Sequence, residues 1–263
     1  MGIGFYMTLL AILAATLMAG VGSVWLAALL GFGILVRYTQ HMLSLAAGAL
    51  LATAFMHLLP EAFASQVGPD QLFSTLLGGL IFFFLLDKAE LWHHGHEHHH
   101  AHHHDHDGHQ HHHGGSWAIL TGDSVHCFGD GVLIASAFVA DMRLGVVAAL
   151  AVLMHEVPHH MGDLAVLRQS SDNRRMAFLK VSLAGALTSM GGLVGYFLVA
   201  ELKAYLPYFL AIASSSFLYV ALADLIPQLQ RKLSARETAA QIIWLAVGMG
   251  MVTLASGLTH SSH

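Results

Sequence analysis

From Met1 to Val36 the chain carries no charged side chain. Seven further apolar stretches follow, near residues 40–62, 70–91, 117–140, 145–168, 177–200, 206–228 and 238–258. Each is about 20 residues long, the length an α-helix needs to cross the hydrocarbon core of a bilayer. Lipid offers no water to the backbone, so such a segment must satisfy its N–H and C=O groups internally, as a helix. The pattern predicts an all-α integral membrane protein with eight transmembrane helices, the first near residues 5–32. Only 10% of the 263 residues are charged, against about 25% in soluble domains. That excludes an ordinary cytosolic enzyme. A net charge of −5 is no basic footprint, which excludes a nucleic-acid binder. The first stretch lacks the basic leader and short apolar core of a cleavable signal, so it reads as a retained helix. The single Cys127 permits no internal disulfide and no Cys-x-x-Cys site.

Basic residues set the orientation. With both termini outside, the inner loops hold Arg37, Lys88, Arg168, Arg174, Arg175, Lys180, Arg231, Lys232 and Arg236, leaving only Arg143 and Lys203 outside. The positive-inside rule therefore predicts a multi-pass protein of the plasma (inner) membrane with outward N- and C-termini. The chain divides into residues 1–92 (spans one to three), 93–116 (a cytosolic, disordered loop), 117–168 (spans four and five) and 169–263 (spans six to eight). Span two ends His57-Leu58-Leu59-Pro60-Glu61, and span seven ends Asp224-Leu225-Ile226-Pro227-Gln228. Small residues precede both, Ala46, Ala47 and Gly48 against Ala213, Ser214 and Ser215. Two such helices crossing in opposite directions predict an inverted repeat of spans one to three and six to eight around spans four and five.

Fourteen of the 22 histidines fall between His93 and His113, in the run HHGHEHHHAHHHDHDGHQHHH. The run has no apolar period and can bury no core. Its imidazoles, with Glu97, Asp105 and Asp107, suit Zn, Ni or Cu. A flexible loop binds metal in many geometries, so it can buffer or receive ions but is not expected to be essential for turnover.

A second group lies within the spans. In span four, His126 and Asp130 of His126-Cys127-Phe128-Gly129-Asp130-Gly131 are four apart and share one helix face. In span five, His155 and His159 of His155-Glu156-Val157-Pro158-His159-His160-Met161-Gly162-Asp163 do the same, and Glu156 lies three before His159. Both sets fall about midway along antiparallel spans. Ionisable groups at that depth cost roughly 2.5–3.5 kcal/mol each on insertion scales. A divalent cation compensates by turning imidazoles and carboxylates into ligands; a hydrogen-bond network between helices is the structural alternative. Pro158 should free a carbonyl of the preceding turn, and Gly129 and Gly131 permit close helix approach. His-Glu-x-x-His is also the zinc-protease signature. Pro158 inside it, and the additional His-x-x-x-Asp of span four, argue against that enzyme.

These residues resemble the ZIP (Zrt/Irt-like protein) family of divalent metal transporters, in its histidine-rich branch. Phe55-Met56-His57-Leu58-Leu59-Pro60-Glu61-Ala62 is similar to the family's H-L-L-P-E segment. HCFGDG is similar to its H-N-F-x-D/E-G, HEVPHHMGD to its H-E-I-P-H-E-x-G-D, and FLYVALADLIPQL to its seventh helix. The resemblance implies eight helices, outward termini and a cytosolic histidine-rich loop between helices three and four. It also implies a transport site of His126, Asp130, His155 and His159. Asp130 and His159 would bridge to a second site that adds Cys127 and Glu156. Cys127 stands where the family usually has Asn, and Thr188 where some relatives supply a carboxylate. His57 would line the entrance, and Asp163 would lie on the exit side, with Asp123 and Asp224 as weaker candidates. The implied activity is zinc uptake into the cytoplasm by alternating access, not catalysis. Zn²⁺ is the expected cargo, with Fe²⁺, Mn²⁺ and Cd²⁺ as further possibilities. The expected partners are divalent metal ions and the lipid bilayer, with a homodimer as one option for assembly. A zinc exporter of the cation-diffusion-facilitator type and a membrane-embedded zinc protease or sensor are the alternatives.

Overall fold

The computed structural model describes residues 3–30, 32–95, 114–170, 174–230 and 234–258. The histidine run from residue 96 to residue 113 lies outside the described residues. Within them the chain is helical and contains no strand. Eight helices are long and apolar enough to cross a membrane: Gly4–Leu29, Tyr38–Phe63, Pro69–Ala89, Leu120–Ala140, Met142–Arg168, Arg174–Glu201, Lys203–Leu229 and Ala235–Gly257. These are spans one to eight.

Local chemistry explains where they begin. Asp141 alone separates span four from span five. Its Oδ1 accepts the N–H groups of Arg143 (2.8 Å) and Leu144 (3.2 Å), capping the start of span five. Span eight opens with a reciprocal cap. The Ser234 N–H donates to Glu237 Oε2 (2.8 Å), and the Glu237 N–H donates to Ser234 Oγ (3.3 Å). Pro69 starts span three and Pro207 lies in the first turn of the helix Leu206–Tyr219, where a missing N–H costs nothing.

Three π-helical turns interrupt the spans, at Met18–Gly22, Ala54–Leu58 and Val220–Leu225. The last two immediately precede Leu59-Pro60 and Ile226-Pro227. A proline ring crowds the carbonyl four residues back, and a wider turn there relieves the clash. The two Pro-containing segments noted in the sequence therefore share one backbone distortion. Packing repeats as well. Span two packs on span eight as span seven packs on span three, and span one packs on span six. Exchanging spans one to three with six to eight leaves that pattern unchanged, as an inverted repeat requires.

Small residues set the contacts, as expected between helices in lipid. A Cβ on Gly48 would strike the Leu245 carbonyl, and one on Gly248 the Leu45 carbonyl. A Cβ on Gly131 of span four would strike the Thr188 carbonyl of span six, and one on Gly191 the Phe128 carbonyl. Spans three and eight instead turn large apolar side chains outward, among them Leu77, Phe82, Leu85, Ile242, Ile243 and Leu254. Spans two and five are the most enclosed, which leaves span five as the central wall of the site.

Candidate metal centre

The tight Asp141 turn folds span five back along span four and brings their polar faces together. His126 Nε2 lies 3.2 Å from Glu156 Oε1 and 3.8 Å from Asp130 Oδ2. His155 Nε2 lies 3.1 Å from Asp130 Oδ2 and 3.3 Å from Glu156 Oε1. Asp130, His155 and Glu156 are buried, and His126 is partly open to a cavity. His126 Nε2, Asp130 Oδ2, His155 Nε2 and Glu156 Oε1 are all buried and none has a hydrogen-bond partner. Four buried polar atoms converge here as close imidazole–carboxylate pairs, and two carboxylates at that depth need compensating charge. A cation placed among them would satisfy all four, so this group fits a metal.

A second group lies beside the first. Asp123, Cys127, Glu156 and His160 are all buried, and their ligand atoms lie within 4.8 Å of one another. His160 Nε2 is 3.1 Å from Glu156 Oε2 and 3.6 Å from Asp123 Oδ1. Cys127 Sγ is 3.5 Å from Asp123 Oδ1, 3.6 Å from Glu156 Oε2 and 3.7 Å from His160 Nε2. Thus Glu156 faces the first group with one oxygen and the second with the other. A third group, Asp123, His159 and Asp163, continues along span five. There His159 Nε2 is 3.9 Å from Asp163 Oδ2.

The structure distributes the sequence candidates as follows. His126, Asp130 and His155 meet as the first group, joined by Glu156. His159 falls with Asp123 and Asp163 in the third group, and its ring centroid is 5.2 Å from that of His126. The residue shared between groups one and two is Glu156, where the resemblance implied Asp130 and His159. The helix passes through Pro158 as α-helix, so the proline does not disturb the spacing of span five. Neighbouring helices tolerate such a proline in a membrane. His57 sits in the π turn of span two, half-buried, with Nε2 lacking a partner, and outside all three groups. Thr188 is buried and places a hydroxyl, not a carboxylate, in span six. His160 and Ser23 were not singled out from sequence. The spacing Asp123–Cys127 and Glu156–His160, each four apart, was the available signal for His160.

A cavity of about 510 Å³ reaches these groups. It is lined by His126, His155, His159, Asp163, Asp123 and, from span seven, Asp224, together with further polar and apolar neighbours. Tyr219 of span seven donates to Asp87 Oδ2 of span three (3.0 Å) at its wall, and the Gln228 side-chain amide donates to Asp224 Oδ1 (2.8 Å). Span two contributes Leu43, not His57.

The family model described as ZIP zinc transporter matches residues 87–256. Zinc transporter ZIP13 of Pongo abelii is 27% identical over 240 residues, 83% of this chain and 67% of that protein. Zinc transporter ZIP4 of Homo sapiens is 35% identical over 136 residues, 52% of this chain and 20% of that protein. Zinc transporter ZIP10 of Homo sapiens is 32% identical over 141 residues, 52% of this chain and 17% of that protein. The chain thus spans a fifth or less of the length of those two human relatives.

Proposed function

We propose a function from one premise: the chain belongs to the ZIP zinc transporter family. It moves divalent metal ions, zinc foremost, across the membrane into the cytoplasm by alternating access at the site between spans four and five. The observation that carries this reading is the convergence of four buried ligand atoms from His126, Asp130, His155 and Glu156. A set of two imidazoles and two carboxylates suits Zn²⁺, and Cd²⁺, Fe²⁺ and Mn²⁺ are weaker cargoes in the same chemistry. The ion enters dehydrated, and its positive charge offsets the two carboxylates at a depth where bare charge is unfavourable.

The second group is a neighbouring cation position, with Glu156 as the carboxylate common to both. His57 serves the outer approach along span two. His159, Asp163 and Asp123 serve the way out. Orientation follows from the basic residues, with both termini outside in a plasma (inner) membrane. The residues lining the cavity lie at the midpoint of their spans (His155, Ser216) or in the halves nearer the connection between spans three and four. In that orientation the cavity faces the cytoplasm. Release requires that binding be tight enough to capture the ion and weak enough to let it go. Oxygen ligands along the exit, which hold zinc less tightly than imidazole, meet that need. The histidine loop receives the ion.

The test is zinc entry into proteoliposomes carrying the purified chain, with no nucleotide present. Flux down a zinc gradient, competed by Cd²⁺ and not by Mg²⁺, supports the reading. Entry no faster than into empty vesicles contradicts it.

A further inference from the structure

His160 has two ring nitrogens, and only Nε2 faces Asp123, Cys127 and Glu156. The other, Nδ1, lies 2.8 Å from the hydroxyl of Ser23 on span one. Ser23 is fully buried, directly after the π turn Met18–Gly22. Its Oγ also makes a short hydrogen bond to the carbonyl oxygen of Gly20. A hydroxyl has one hydrogen and a carbonyl can only accept. With the Ser23 hydrogen on Gly20, Ser23 accepts the Nδ1–H of His160. This arrangement keeps hydrogen on Nδ1 and turns Nε2 toward the second group. A metal-binding imidazole needs that orientation and that tautomer, held by a partner on its far nitrogen.

We infer that Ser23 is a positioning residue for a second, softer cation position made by Asp123, Cys127, Glu156 and His160. Its cargo is a thiophilic divalent ion, Cd²⁺ or Zn²⁺, held by one thiolate, one imidazole and two carboxylates. The inference rests on the second cation position proposed above and adds to it the element that orients its imidazole. Two observations support it besides the cysteine. The Asp123 Oδ2 atom is buried with no hydrogen-bond partner. The π turn that precedes Ser23 lies where Gly20 packs against Gly185 of span six, so span one is fixed in place at that level.

The test uses the whole chain in detergent and Cd²⁺ at buffered free concentrations. Cys127 is the only cysteine, so a cadmium–thiolate charge-transfer absorption reports this position and no other, the histidine run included. The wild-type protein is expected to develop the band, and Ser23→Ala to require about 10–100-fold more free Cd²⁺, as loss of an outer partner of a ligand does. His160→Ala should weaken binding too, and Ser23→Ala should add nothing in the His160→Ala background. A Ser23→Ala protein that binds Cd²⁺ as tightly as wild type overturns the inference. So does a Ser23→Ala loss that persists in full without His160, because it would act through packing. No thiolate band in the wild-type protein overturns the second cation position itself.

Discussion

Glu156 Oε2 lies 3.1 Å from His160 Nε2 one turn further along span five, while Glu156 Oε1 faces His155 of its own span and His126 across the gap to span four. One carboxylate thus joins two groups of ligands. Replacing it by an amide keeps its volume and removes its charge from both. Glu156→Gln should weaken cation binding by about 3 kcal/mol or more, roughly a hundredfold, as for breaking a buried charge pair. Asp130→Asn touches only the first group and should leave the cadmium–Cys127 absorption in place. Calorimetric zinc titration alongside that absorption separates the two variants. Loss of the absorption in Asp130→Asn would break the division into two groups.

Acid should stop binding. A histidine ligates through a bare ring nitrogen, so each imidazole must be unprotonated before it can hold the ion. Protons and cation compete for His126, His155 and His160, and the sign is fixed: lower pH favours the proton. Zinc affinity should fall as pH drops through the imidazole range, near 6.5 for a free side chain. The dependence should be steeper than for a single proton. Zinc binding in detergent, measured between pH 7.5 and 5.5, checks it, and a flat profile would contradict histidine ligation.

Span four holds His126, Cys127 and Asp130 in place by resting on span six. At Gly191 a side chain would meet the backbone carbonyl of Phe128, which cannot move without moving the site. Gly191→Val should destabilise the protein by about 1–3 kcal/mol, the usual cost of overpacking. Gly250→Ala is the control, since nothing lies within 4 Å of an added Cβ there. Thermal unfolding in detergent should show a lowered midpoint for the first and none for the second. Equal midpoints would remove the close approach as a determinant of the site.

The eight spans were legible because lipid imposes a length and a composition on each of them. The repeat was legible because Pro60 and Pro227 mark equivalent turns, and both now follow π turns. Helical spacing alone could not assign the ligands. His155 and His159 share a face, yet so do Glu156 and His160, and partners on other spans decide which pair points where. Ser23 was invisible because a lone serine in an apolar span has no charge and no period. Its role depends on the π turn of span one and on a histidine 137 positions away.

The histidine run, by contrast, is conspicuous in the sequence itself. Deleting residues 93–113 should leave most zinc flux intact and lower the number of weakly bound ions. Flux into proteoliposomes and metal content after dialysis test both halves of that expectation. Complete loss of flux would make the loop part of the transport path.

Zinc entry into proteoliposomes containing wild-type or His155→Ala protein tests the central claim most directly. His155 Nε2 touches both carboxylates of the first group, and the residue is buried. The account predicts rapid entry with wild-type protein. With a His155→Ala protein that still elutes as a single species, it predicts entry reduced to that of empty vesicles. Undiminished flux through His155→Ala would place the transport site elsewhere.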